Sequence, residues 1–510
     1  MILILLTLCG CSHSAKNESK KELRLYLQAN PLSLDPRIGG NRQSVPVNRL
    51  LFEGLFRMDQ DGGYEKALAK SVDISKDGCV YTFTLQPSKW SNGEEVTAYD
   101  FEYAWKSILN PDFPTSFAFV FYDIKNAAKA YQRKCALDDV GITPIDSHTL
   151  QVTLEYPCPF FFELLTFPLF SPICRSYCQK EGASPEYLSN GPFVLKKHCL
   201  NSQIVLERNP LYWRADFPKV DTISFTIVED SQTAYNMFCK GDLDWFGDPL
   251  GVIPLDMLQK IEPKSLYKKE AGLNTWLRCQ TKKPFLSSKN IRKAIACAID
   301  RDFICESLLN CHESPAKTIV PKTLSLLSSS PFKNGDVEEA RHLFEKGLEE
   351  LSLTKESFPT LTIEYRCDDQ MLKDTAGLIQ KQIEHALGIK VVLQESDYNT
   401  VISHMFSGEF ILSLHDWLSF YQDSRSILSW VKQENLGTGA YNEAFDRADA
   451  SLKISDRQRY LKEAEEIIMD QLPVIPIVHK TFKYIKSDRL HGEALSPSGQ
   501  IDFMWSETRE

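Results

Sequence analysis

The chain runs to 510 residues, enough for about three domains at roughly 150 residues each. Hydrophobic residues make up 43%, charged residues 25% and aromatic residues 11%, the balance of a folded globular protein rather than a disordered, collagen-like or polytopic membrane chain. A formal charge of −10 leaves no basic stripe for a phosphate backbone, so no nucleic-acid partner is expected.

Met1 to Leu8 is almost wholly apolar, too short to span a bilayer and of the right size for the apolar core of a secretion signal. Leu8-Cys9-Gly10-Cys11 then fits a bacterial lipobox, with small Gly10 before the cleavage point and Cys11 as the lipidated residue. Residues 1–22 therefore read as a lipoprotein signal and flexible leash that would tether the folded body to a membrane surface, in the periplasm or outside the cytoplasmic membrane. The charged start of an ordinary signal is missing, which points either to an upstream start or to weak export. The bland alternative is a frayed apolar terminus. Beyond Cys9 and Cys11, the other 12 of the 14 cysteines are scattered with no Cys-x-x-Cys, so no zinc site is expected, and no disulfide pairing can be assigned.

Glu22 to Gln28 alternates, with Leu23, Leu25 and Leu27 on one side, and predicts a strand. Lys76-Asp77-Gly78 is turn chemistry, and Cys79 to Leu85 alternates behind it as a hairpin arm. Thr97-Ala98-Tyr99-Asp100 resembles a capping box; Phe101, Ala104, Trp105 and Ile108 follow at helical spacing, and Asn110-Pro111 stops the helix. The second half alternates strand and helix. Strands are expected at Leu361–Tyr365, Lys390–Leu393, Phe410–Leu414 and Val474–Val478, and helices at Asp374–Leu387, Asn399–Phe406 and Arg457–Gln471. Such repetition predicts an α/β lobe with a largely parallel sheet, beside a first lobe richer in β signals.

Motifs for catalysis are missing: no Gly-x-Ser-x-Gly, no Walker loop, no His-Glu-x-x-His and no dinucleotide fingerprint. Asp59-Gln60-Asp61-Gly62-Gly63 fails as a calcium loop, lacking the Glu at the twelfth position, and reads as a turn. No enzyme activity, cofactor or metal is expected. A large aromatic-rich protein without such motifs suits a ligand-enclosing cleft. The segment His415-Asp416-Trp417-Leu418-Ser419-Phe420-Tyr421-Gln422-Asp423-Ser424 follows a predicted strand, where ligands sit in parallel sheets. The competing reading makes Trp417 and Tyr421 core residues at i, i+4 on a helix and Asp423 a solvated turn.

Several ordered blocks resemble one family. They are Asn30-Pro31-Leu32-Ser33-Leu34-Asp35-Pro36, Leu51-Phe52-Glu53-Gly54-Leu55 and Ser75 to Leu85, then Lys89-Trp90-Ser91-Asn92-Gly93-Glu94 through Phe101. Asn190-Gly191-Pro192-Phe193, Glu207-Arg208-Asn209-Pro210-Leu211-Tyr212-Trp213, Ile291-Arg292-Lys293-Ala294-Ile295 and Leu472-Pro473-Val474-Ile475-Pro476 continue the match. The chain is similar in these blocks to the extracytoplasmic solute-binding proteins of ABC importers, of the oligopeptide, dipeptide and nickel type. That resemblance implies an α/β fold of two lobes joined by a two-strand hinge, a class II periplasmic-binding-protein fold with an additional domain on the first lobe. Lobe I would comprise residues 23–55, 186–273 and 480–510, the additional domain 56–185, and lobe II 274–479. A peptide would be trapped between the lobes, held by strand-like main-chain hydrogen bonds, and passed by a monomer to a membrane permease.

Measured against the family pattern, the charge anchors for peptide termini are altered. The Trp-x-x-Asp whose carboxylate pairs with the ligand amine is here Trp417-Leu418-Ser419-Phe420, so Phe420 stands at the acidic position. Basic positions fall on Leu414 and Met405, a histidine position near Met371, and an acidic contact is replaced by Gly39-Gly40, beside Asn41. Asp416 or Asp423 could take over the amine, while Tyr398 and Trp417 match aromatic pocket positions, with His415 and Tyr421 close by. The expected ligand is a peptide or peptide-like molecule, including modified or cell-wall-derived ones. The alternatives are a metal chelate such as nickel, supported locally only by His415 and Asp416, and a secreted enzyme or surface protein on the same scaffold.

Overall fold

The computed structural model describes residues 21–180, 188–214, 216–309, 313–367, 369–419 and 421–509. The expected signal with Cys11, and Phe420, lie outside them. The first half contributes strands β1 (Glu22–Leu27), β2 (Ala69–Ile74), β3 (Val80–Leu85), β4 (Ile142–Asp146), β5 (Thr149–Thr153), β6 (Phe193–Cys199), β7 (Gln203–Arg208), β8 (Thr222–Ile227) and β9 (Trp245–Gly247). The second half contributes β10 (Tyr267–Cys279), β11 (Leu361–Arg366), β12 (Val391–Ser396), β13 (Leu412–Leu418) and β14 (Val474–Lys486). Five helices matter to the argument: α1 (Ala98–Ile108), α2 (Gln370–Leu387), α3 (Tyr398–Ser407), α4 (Arg425–Gln433) and α5 (Ile454–Gln471).

Local chemistry accounts for the elements. Along β3, Tyr81, Phe83 and Leu85 are buried and the intervening Val80, Thr82 and Thr84 half-buried, as alternation requires. Ahead of β3 the chain turns at Gly78, whose φ of +70° favours glycine. At α1 the Thr97 N–H donates to Asp100 Oδ2 over 2.8 Å, completing the capping box, and Phe101, Ala104, Trp105 and Ile108 turn inward. Gly388 in the left-handed region ends α2.

Two large hydrophobic cores divide the chain. One joins the sheet of order β1-β8-β7-β6 to the antiparallel sheet of order β2-β3-β5-β4, without a break between them. The other, built from residues between Trp276 and Val478, packs on the sheet of order β9-β14-β10-β13-β11-β12. That sheet corrects the expectation of a largely parallel one. Only β11 runs parallel to its neighbours β12 and β13, while β13, β10, β14 and β9 pair antiparallel. Strand–helix alternation predicted the parallel part; β10 enters from the first lobe and β14 leaves toward it, and neither obeys such a rule.

These two strands, 13 residues each, are the covalent bridge of the two-lobed fold. They pair from Tyr267 opposite Tyr484 to Arg278 opposite Val474, with the register broken between Glu270 and Asn274. At one end Tyr484 stacks on Trp245 of the first core, ring centroids 4.1 Å apart; at the other Trp276, Leu277, Ile475 and Ile477 sit in the second core. At the break, the Gly272 N–H donates to Pro497 O (2.6 Å) and its carbonyl accepts from the Ser419 N–H (2.7 Å). A β-carbon at Gly272 would lie 3.3 Å from both Ser419 Cβ and Pro497 O, so glycine lets the crossing close up.

Candidate ligand-binding cleft

The first four residues of the segment singled out by its aromatic and acidic side chains, His415 to Leu418, are strand rather than a loop after one. β13 runs on to Leu418, because β10 pairs with it through Leu273 opposite Leu418. Asn274, Thr275 and Trp276 stand opposite Trp417, Asp416 and His415, so successive side chains alternate between the two faces of the sheet. Trp417 is therefore on a strand, and the helical i, i+4 relation with Tyr421 does not apply.

On one face lies Asp416. It accepts from Thr275 Oγ1 over 2.7 Å and pairs with Lys480 Nζ from β14. Burial works against the Lys480 charge, but Asp416, Asp369 and Glu313 together outweigh it and raise the ammonium above its ordinary range. On the other face, the Trp417 ring stacks on Trp276 (5.8 Å, 8°) and lies 4.7 Å from Trp430 of α4. His415 points the same way and is buried within the second lobe; burial, with Arg278 adding to it, pushes its imidazole down to about 3, so the ring stays neutral.

A cavity of about 80 Å³ opens where the lobes meet, walled by Phe119, Tyr122, Asp123 and Tyr156 from one side and by Trp417, Tyr421, Arg425 and Trp430 from the other. A second, of about 280 Å³, opens along the hinge strands at Glu270, Ala271, His479 and Lys480. His479 Nδ1 shares a hydrogen bond of 2.7 Å with Asn274 Oδ1; the Asn274 amide donates to Ile319 O, so Nδ1 carries the proton and Nε2 the lone pair. Burial pushes this imidazole down to about 4 as well.

Tyr421 stacks on Phe160 of the first lobe, with centroids 3.9 Å apart and planes 2° from parallel. Asp423 is committed: Arg457 grips it through Nη1 (2.6 Å) and Nη2 (3.0 Å), and the Arg425 N–H donates to it. Tyr398 stands apart at the start of α3, 53% exposed, beneath the Arg366 guanidinium. Gly40 lies under Phe117, whose ring would be 2.8 Å from an added β-carbon. Asn41 Oδ1 accepts from the Ser44 N–H, 3.1 Å away, at the start of a helix. Of the residues expected to bind ligand, the structure thus brings Trp417 and Tyr421 to one cavity, with Asp423 behind them. Asp416 lies across the sheet, His415 in the second lobe's core, and Gly40, Asn41 and Tyr398 elsewhere. Leu414 and Met405, at positions expected to be basic, are buried apolar residues.

Sequence reasoning missed Arg425, Asp123, Tyr156, Phe160, Thr275 and Lys480. Their roles arise from pairings 64 residues apart at Lys480–Asp416, 141 at Thr275–Asp416 and 269 at Arg425–Tyr156, which no local spacing encodes. Among the described residues, no group of three or more histidine, cysteine or acidic side chains could hold a metal ion, all eleven cysteines are free thiols, and no helix is long and apolar enough to cross a membrane.

Compared with known proteins, residues 63–438 match the pattern of the bacterial extracellular solute-binding proteins, family 5. The chain belongs to this family. As a family 5 protein it is 33% identical to the oligopeptide-binding protein OppA of Bacillus subtilis (strain 168), over 98% of this chain and 96% of that one. It is 27% identical to the periplasmic murein peptide-binding protein MppA of Escherichia coli (strain K12), over 91% and 88%. Among solved structures, the E. coli murein tripeptide binding protein MppA matches with a TM-score of 0.84 at 26% identity, covering 96% of this chain and 99% of that one. A periplasmic oligopeptide-binding protein from Borrelia burgdorferi matches with 0.83 at 27%, covering 96% and 100%. The two-lobed family 5 fold expected from the sequence blocks is the fold observed.

Proposed function

We propose that this protein is the extracytoplasmic substrate-binding component of an ABC importer. It captures peptides or peptide-like molecules between its lobes by hinge closure and delivers them to a membrane permease; it is not an enzyme. The observation that carries this reading is the cavity walled by both lobes, with Trp417 and Tyr421 in its lining and a two-strand bridge beside it. The named relatives supply the ligand class: oligopeptides for the Bacillus protein and a murein tripeptide for the E. coli one. The domain division stated above, a monomeric state and a lipid anchor on Cys11 belong to the same proposal.

Asp416 is the better of the two acidic candidates for the ligand amine. Asp423 is gripped twice by a buried arginine, whereas Asp416, held by the Thr275 hydroxyl and by Lys480, sits behind the lysine that lines the second, hinge-strand cavity, and an incoming ammonium there can displace that flexible side chain. The chelate reading loses its local support, because His415 lies in the second lobe's core. Native mass spectrometry and calorimetry with tri-alanine, the murein tripeptide, an N-acetylated peptide and nickel–histidine test the proposal. Binding of at least one peptide with micromolar or better affinity is expected, and failure of all three peptides in folded protein defeats it.

A further inference from the structure

One arginine is shared between the lobes. Arg425 opens α4 of the second lobe and is 5% exposed. Its Nε and Nη2 hold Asp449 of the same lobe at 2.6 and 3.1 Å. Nη2 also lies 3.2 Å from Asp123 Oδ1, which packs with the first core, and donates to Tyr156 Oη; the Tyr156 hydroxyl in turn donates to Asp123. The guanidinium carbon sits 4.6 Å from the Tyr156 ring centroid and 5.3 Å from that of Phe160. Phe160 is the ring on which Tyr421 stacks, and Arg425 Nη1 donates to the Tyr421 hydroxyl over 3.2 Å. Next to it, the Gln422 N–H donates to Glu163 Oε2 at 2.9 Å, another contact between lobes.

This arrangement divides along the line on which the lobes part. Asp449 belongs to the same lobe as Arg425, so its charge keeps a carboxylate when the lobes separate; Tyr421 is tied to that lobe by its chain position, while its ring packs into the first core. Asp123, Tyr156, Phe160 and Glu163 stay with the first lobe. A charge-assisted hydrogen bond made in a water-poor interface is worth more than one in solvent. Burial works against the Arg425 charge, yet Asp123 heads the groups that hold its proton well above the ordinary range. Tyr156 and Asp123 matter less to their own lobe, since their side chains serve this contact and each other.

We propose that Arg425 is the clasp of the closed state: engaging Asp123 and Tyr156 across the gap, it holds the lobes shut and slows ligand release. Because Arg425, Asp123 and Tyr156 also wall the 80 Å³ cavity, clasp and pocket form in one movement. Arg425 is a positioning residue here, acting through the lobe geometry. The proposal rests on ligand capture for its purpose but not for its test.

Small-angle X-ray scattering of the full chain without ligand compares the wild type with Asp123→Asn/Tyr156→Phe, which leaves the Arg425–Asp449 pair intact, and with Arg425→Lys. The double variant should show a larger radius of gyration and an open-to-closed ratio raised about tenfold, equivalent to about 1.4 kcal/mol. Its thermal melting should be unchanged, and Arg425→Lys should fall between. For whichever test peptide binds, dissociation should quicken about tenfold in the double variant; because Asp123 and Tyr156 also wall the cavity, the radius without ligand decides the clasp. Equal radii of wild type and double variant overturn the clasp, whether both are open or both closed. A shift in radius with no peptide bound by any form supports the clasp and defeats peptide capture.

Discussion

At the scale of single residues, Trp417 and Asp416 occupy opposite faces of one strand, Trp417 at the interlobe cavity and Asp416 paired with Lys480, which lines the hinge-strand cavity. Trp417 offers ring surface to the interlobe cavity while its other contacts tie it to Trp276 and Trp430. Trp417→Ala should therefore do two things: weaken peptide binding by about tenfold or more, and cost the second lobe roughly 1–2 kcal/mol, below a full core truncation because the ring is half-buried. Calorimetry and a thermal melt read the two effects separately; unchanged affinity would remove Trp417 from the site. Asp416→Asn keeps shape and removes charge. It should reduce affinity for a free-amine peptide by about tenfold and leave its N-acetylated counterpart unaffected, the signature of a lost ion pair. Asp423→Asn should instead appear in stability, because Arg457 would lose its buried partner.

At the scale of elements, the decisive feature is the broken register of β10 against β14. Regular pairing would stiffen the bridge; the interval from Glu270 to Asn274 replaces ladder bonds by contacts of Gly272 to Pro497 and Ser419. Ser419 directly follows the strand that carries Trp417, so the bridge and the binding strand share a hydrogen bond. Gly272→Val would place a branched side chain where even a β-carbon has 3.3 Å of clearance to Ser419 Cβ and Pro497 O. Overpacking of this kind costs about 1–3 kcal/mol. The expected outcome is a reduced peptide association rate and a melting temperature lowered by a few degrees, measured by stopped-flow fluorescence and calorimetry.

At the scale of the whole molecule, closing the lobes changes the surroundings of Glu163. Burial pushes its carboxyl up to about 7, the Gln422 N–H pulls it back in part, and Asp423 raises it further. Asp423 is paired with Arg457, and Arg457 and Arg425 both lie over the neighbouring Phe160 ring. Parting the lobes removes the Gln422 and Asp423 contacts and exposes the carboxyl, and the expectation is a return toward its ordinary 4.5. A group whose pKa is higher in the closed form takes up a proton on closing. Closure is therefore favoured as the pH falls below about 7, and that advantage is lost as the pH rises through about 7. Peptide affinity should be about tenfold tighter at pH 6 than at pH 8, and Glu163→Gln should flatten the profile. A wild-type profile that is already flat over this range would rule out proton uptake at Glu163.

Much of this was legible in the chain. The capping box at Thr97, the alternation of β3, the helices α2 and α5 and the ordered family blocks depend on neighbours within a few residues, and periodicity reports those faithfully. The family blocks also carried the two-lobed fold. What remained hidden depends on partners far apart. Nothing near Asp416 announces Lys480, and nothing near Arg425 announces Asp123 or Tyr156, some 270 to 300 residues earlier. The same holds for His415, which reads as a ligand in sequence and is made neutral core by the strand register. Short-range patterns express which backbone each segment prefers; which charges meet, which face of β13 looks into the cavity and where the lobes grip each other follow from packing two cores across a two-strand bridge.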